Sequence, residues 1–128
     1  MTKKDNLASL VAEFADGVAA QAECMKTGDW LTGNKHAKRF VRAFAKLQQL
    51  GDRGRDALAV LFDDPRVPVR TTAAAYLLRH HEAEATRVLR EVANEKNMDG
   101  FAAQMALKHW QEGTWTLDVL PSSKTTSS

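Results

Sequence analysis

The residues from Leu58 to Leu78 constrain the fold of this chain more than any other stretch. Leu58, Leu61 and Phe62 lead to Asp64; Val69 and Arg70 follow, then Ala73 and Ala74, closing on Leu77 and Leu78. That order predicts an apolar helix, a turn carrying Asp and Pro, and a second helix opening on Val-Arg. Such a helix pair cannot bury its apolar faces alone and must stack on neighbouring helices.

The rest of the chain supplies those neighbours. Leu7, Leu10, Val11, Phe14, Val18 and Met25 recur at three- and four-residue steps, so a helix from about Lys4 to Lys26 has one apolar face. Thr27-Gly28-Asp29 breaks the pattern. A second helix is expected from Asp29-Trp30, interrupted at Gly33-Asn34 and resumed through Ala37, Phe40, Val41, Phe44 and Leu47. Gly51 can end it, since a left-handed residue costs glycine little. Asp52 is placed to cap a third helix that stops at Asp63-Asp64-Pro65. Pro68 suits the first turn of the fourth, where its missing donor is unneeded. That helix turns Val69, Ala73, Tyr76 and Leu77 inward, and its small Ala73, Ala74 and Ala75 admit a close neighbour.

A fifth helix is expected from about Glu82 to Lys96, with Ala85, Leu89, Val92 and Ala93 inward. The sixth follows Asp99-Gly100 and ends at Gly113. Its apolar residues, Phe101 through Trp110, wrap most of the circumference, which predicts one of the most buried elements. Trp115, Leu117 and Val119 then alternate with polar residues, as in a short extended arm that Pro121 stops. Ser122 to Ser128 offers no apolar anchor and is expected to be mobile. No strand-like pattern occurs before residue 114. The reading is an all-α chain of about six helices in consecutive antiparallel pairs, one domain over residues 1–121 with a Ser/Thr-rich tail over 122–128.

Composition limits the functional classes. The 128 residues are 44% apolar and 27% charged, ordinary for a soluble globular domain. A chain of this length buries roughly two-thirds of its unfolded surface and needs no disulfide or metal to fold. Cys24 is the only cysteine, which excludes an intrachain disulfide and reads as a small helical core residue. No run is long and apolar enough to cross a bilayer, and the first residues do not pattern as a secretion signal, so a cytoplasmic protein is expected. The net charge is only +2, but Lys26 to Arg55 holds eight basic residues against Asp29 and Asp52.

Several features together resemble a known family. They are the Leu58–Leu78 repeat, the Gly28-Asp29 turn after an amphipathic helix, the basic second helix leading to Gly51-Asp52-Arg53, and the closing run from Gly100-Phe101-Ala102 to Trp110-Gln111-Glu112-Gly113. Over roughly residues 7 to 117 the chain resembles small bacterial HEAT-like proteins of the ARM-repeat superfamily, catalogued as a domain of unknown function and including immunity-type proteins. The resemblance implies a right-handed HEAT/armadillo-like stack and a binding role, with no catalytic residues to carry over. The longer Thr/Ser-rich tail departs from the family pattern.

Lys35, Lys38, Arg39, Arg42 and Lys46 share one face of the second helix. That face reads either as solvated surface, as a docking surface for an acidic protein, or as a nucleic-acid contact. The small net charge and the lack of an obviously exposed, interleaved aromatic weigh against nucleic acid. Arg70 and Asp64 read as a structural pair of the repeat turn. Arg66, Arg70 and Tyr76 are candidate interface anchors near that turn, and Lys35, Lys38, Arg39 and Arg42 candidate steering charges. Tyr76 and Trp110 also read as core.

Metal and enzyme readings fare poorly. Adjacent His80 and His81 point about 100° apart on a helix and cannot readily share an ion. They are expected to end the fourth helix, where His suits the last carbonyls. His36 and His109 lack the spacing of a zinc pair, and no nucleophile elbow, phosphate loop or acid cluster is present. The expectation is no enzyme, no cofactor and no metal. The chain would bind a cognate secreted toxin domain as an immunity protein, or a cellular protein as a scaffold, acting as a monomer or homodimer.

Overall fold

The computed structural model describes residues 7–114. The extended arm, the Ser/Thr-rich tail and the expected start of the first helix at Lys4 lie outside the described residues. Six α-helices follow one another: α1 (Leu7–Thr27), α2 (Trp30–Gln49), α3 (Asp52–Leu58), α4 (Val67–Tyr76), α5 (Glu82–Val92) and α6 (Met98–Glu112). A 3-10 segment, Ala59–Asp63, extends α3. Among the described residues there is no strand.

The longest helices make the most extensive contact, α1 against α2. A short turn at Gly28 reverses the chain, and the Asp29 carboxylate accepts from the Thr32 N–H at 3.2 Å, capping α2. The helix is continuous through Gly33-Asn34, where an interruption was expected. The cause is packing: a Cβ on Gly33 would lie 3.3 Å from the Cys24 Cβ, so glycine there lets α2 close against α1. Tertiary contact overrides the weak helix propensity of glycine.

Four aromatic rings from three helices form the centre of the core. Phe14 of α1 is fully buried and meets Phe40 of α2 and Tyr76 of α4 edge-on, with ring centroids 5.5 Å apart in each case. Phe44 and Tyr76 approach to 4.7 Å at 89°. Such edge-to-face pairs add about 0.5–1.5 kcal/mol each beyond the area they bury. Leu47, Leu58, Val69, Leu77, Leu78 and Leu89 continue the core toward α5, all at 0% exposure. The inward positions expected for α4 and α5 are buried, Ala93 and Tyr76 partly so.

The second half departs from expectation at its ends. The cap of α3 is Gly51, and Asp52 is its first helical residue, with its carboxylate on Arg55 at 2.6 Å. α4 stops at Tyr76, so His80 falls in the following turn and His81 caps α5. The His81 imidazole lies 3.0 Å from the Asp56 carboxylate, tying α5 to α3. α5 ends at Val92, four residues short of Lys96. α6 starts at Met98, before Asp99-Gly100, because the Asn97 side chain caps it by accepting from the Gly100 N–H at 2.9 Å.

α6 is also not among the most buried elements. Only Gly100, Ala103 and Ala106 are buried, while Met98 and Phe101 are 70% and 64% exposed. Small residues form its inner stripe and let it lie close to α5 and α4. No further described helix covers its outer side, so apolar residues there stay in solvent. Two polar bonds seat it: Trp110 Nε1 donates to Glu82 at 3.0 Å, and Gln104 Nε2 to the Ala93 carbonyl at 2.9 Å.

Candidate protein-binding surface

α2 is a strongly two-sided helix. Phe40, Ala43, Phe44 and Leu47 face the core, and the sequence from Trp30 to Gln49 contains no acidic residue. Its outer face therefore carries positive charge with no acidic residue of α2 itself to compensate it. Lys35, Lys38 and Arg42 are exposed, and among the described residues no carboxylate lies within ion-pair distance of them. The other two basic residues of the row behave differently. Arg39 is half-buried, with Nε 3.6 Å from the Glu13 carboxylate on α1 and a guanidinium nitrogen 2.9 Å from His36 Nδ1. Lys46 is exposed but is not free of interactions within the chain.

The anchor candidates at the repeat turn are engaged internally. Asp64 accepts from the Arg66 backbone N–H at 2.8 Å and from its guanidinium at 3.0 Å through both carboxylate oxygens. Those Arg66 bonds hold the Asp64 carboxyl below its usual range against the opposing effect of burial, and the pairing raises Arg66 in turn. Arg66 also reaches Asp16 on α1 at 3.6 Å. Arg70 does not pair with the Asp64 carboxylate, contrary to the expectation. Its guanidinium donates to the Asp64 backbone carbonyl at 2.9 Å, closing the turn onto α4. The Tyr76 ring stands among Phe14, Phe40 and Phe44, where it serves the core. Arg66 and Arg70 thus hold the repeat turn and Tyr76 the aromatic core, each engaged within the chain.

Large apolar residues in solvent are better placed to anchor a partner. Leu31 is 81% exposed and Trp30 is 67% exposed. Leu31, Lys35, Lys38 and Arg42 lie at i, i+4, i+7 and i+11, one face of α2 about 16 Å long. An aromatic is therefore exposed beside the basic row after all. A stripe with an apolar end and cationic length can bind a carboxylate-bearing surface, the apolar end supplying affinity and the charges the encounter rate.

Residues 8–110 match the family described as Domain of unknown function (DUF2019). The chain belongs to that family. No curated protein and no solved structure matches it. The DUF2019 region takes in the whole α2 row, the repeat turn and nearly all of α6. Among the described residues of this DUF2019 chain, no group of three or more His, Cys, Asp or Glu could hold a metal ion. No described helix is long and apolar enough to cross a membrane. Trp30 and Leu31 were missed as site residues because periodicity tells which face a residue occupies only once the buried face is known. The signal available was the position of Leu31 in phase with the lysines.

Proposed function

We propose that this DUF2019 chain is a cytoplasmic protein-binding module of the immunity type, which holds a cognate secreted toxin domain and covers its working surface. The observation that carries the reading is the α2 face, where Lys35, Lys38 and Arg42 stand exposed with no carboxylate partner among the described residues. A surface that concentrates one charge sign raises the encounter rate with an opposite one. The helix-on-helix packing supports a HEAT/armadillo-like, right-handed stack as the scaffold that presents it. Such stacks commonly act through an extended face.

Co-expression tests the reading directly. Cells producing a toxin domain that this chain neutralises should grow with the wild-type chain and fail with Lys35→Glu, Lys38→Glu and Arg42→Glu combined. Equal growth with and without the gene removes the immunity role and leaves a scaffold for a cellular protein. The exposed Trp30 beside the basic row favours one further reading, single-stranded nucleic acid. That reading requires gel-shift affinity that falls steeply with salt.

A further inference from the structure

Two parallel stripes run along the outer side of α2. One is the row of Leu31, Lys35, Lys38 and Arg42. Beside it, Trp30, Asn34, Ala37, Val41 and Ala45 lie at i, i+4, i+7, i+11 and i+15, a second stripe on one flank of the helix. Trp30, Asn34 and Ala45 are exposed and Ala37 and Val41 half-buried, and none of the five carries a charge. Trp30, at 67% exposure, stands at one end, and the small side chains of Ala37 and Ala45 leave room for a neighbour to come close. The cationic row borders this uncharged stripe along its length. A weakly polar seam edged by one sign of charge is the arrangement by which helices select partner helices, the seam giving contact and the edge giving register.

We propose that the element of the partner seated on this surface is an acidic amphipathic α-helix, laid antiparallel to α2. Its apolar stripe covers the Trp30–Ala45 flank, and carboxylates at i, i+4 and i+7 face Arg42, Lys38 and Lys35 in that order. The intervals decide for a helix. Arg42 and Lys38 are separated by about 6 Å along the axis, and Lys38 and Lys35 by about 4.5 Å, which a second helix repeats. An extended strand sets its same-face residues about 6.7 Å apart and is out of step by about 3 Å at the third charge. Antiparallel alignment opposes the two macrodipoles and places the acids in the first turns of the partner helix, where negative charge is favoured. The inference rests on the protein-binding reading of α2 and names the partner element that reading leaves open.

Titration of the full ¹⁵N-labelled chain with a helical acidic peptide tests it. The probe carries Glu at i, i+4 and i+7 beside a stripe of leucines and is stapled on its outer face, since short free peptides are only marginally helical in water. The control has the same composition and staple, with its glutamates spread round the helix. The matched peptide should bind at least tenfold more tightly than the control, with saturable shifts centred on the α2 amides from Trp30 to Ala45. Arg42→Glu, an exposed change, should weaken binding at least tenfold, and Lys in place of the first Glu of the peptide should restore it. No saturable binding of the matched peptide, shifts centred on another helix, or restoration by Lys at a different position would each overturn the proposal. Equal binding of both peptides, lost for both in the combined Lys35, Lys38 and Arg42 reversal, would sink the helix inference and leave charge-driven docking on α2 intact. Failure of the immunity reading shows instead in the growth assay, which does not depend on the peptide.

Discussion

Tyr76 is the single tyrosine of the chain, which makes its environment directly readable by absorbance. Burial among three phenylalanine rings pushes its phenol up to about 12. The unfolded chain releases that proton near its ordinary value of about 10, so stability is lost as pH climbs through that interval. Ultraviolet titration of the native protein should place the phenolate midpoint at about pH 12, and the urea-unfolded chain should ionise near 10. A native transition near 10 would put the ring in water. Asp99 is raised as well, by burial. A folded carboxyl above its unfolded value costs stability when charged, so that cost is present at neutral pH and disappears below the unfolded value of 3.8. Asp99→Asn should therefore raise Tm at pH 7, with the gain shrinking as the pH falls toward 3.8. A lower Tm at pH 7 would mean that the carboxylate is satisfied in the free protein.

Helix ends were legible where their cause is local. Gly51 closes α2, Pro68 opens α4 and Gly113 ends α6, each by a property of its own backbone. Where the cause is a neighbour, the sequence was silent. Gly33 looked like a break and proved to be a point of approach to α1. The large residues of α6 looked buried, yet nothing among the described residues lies beyond that helix to cover them. The candidate site divides in the same way. The basic row follows from spacing, while the internal engagement of Arg39, Arg66 and Arg70 depends on Glu13, Asp64 and backbone carbonyls that periodicity cannot place. Gly54 offers a test at this level. It sits in the first turn of α3, where an added Cβ would overlap the Leu47 carbonyl oxygen at the end of α2. Gly54→Ala should cost about 1–3 kcal/mol in urea unfolding, because backbone cannot step aside as a flexible side chain can. A neutral effect would mean that α3 shifts freely against α2.

Taken as one body, the described chain separates its tasks by face. The inner sides of its helices build the core, and α2 turns a row of cations to the outside. Against an acidic partner, reversing Lys35, Lys38 and Arg42 together should slow association by about ten- to a hundredfold at low salt, with dissociation changed much less. Stopped-flow mixing over a range of salt checks this, and a change confined to dissociation would mean that the three residues are buried contacts. The aromatic centre has a separate consequence. Long helical arrays can unzip from one end, because each layer rests only on the next. Here Tyr76 of α4 completes a cluster begun by Phe14 and Phe40, so peeling away the later helices opens the first hairpin to water. Melting should accordingly be a single concerted event, with calorimetric and van't Hoff enthalpies in agreement.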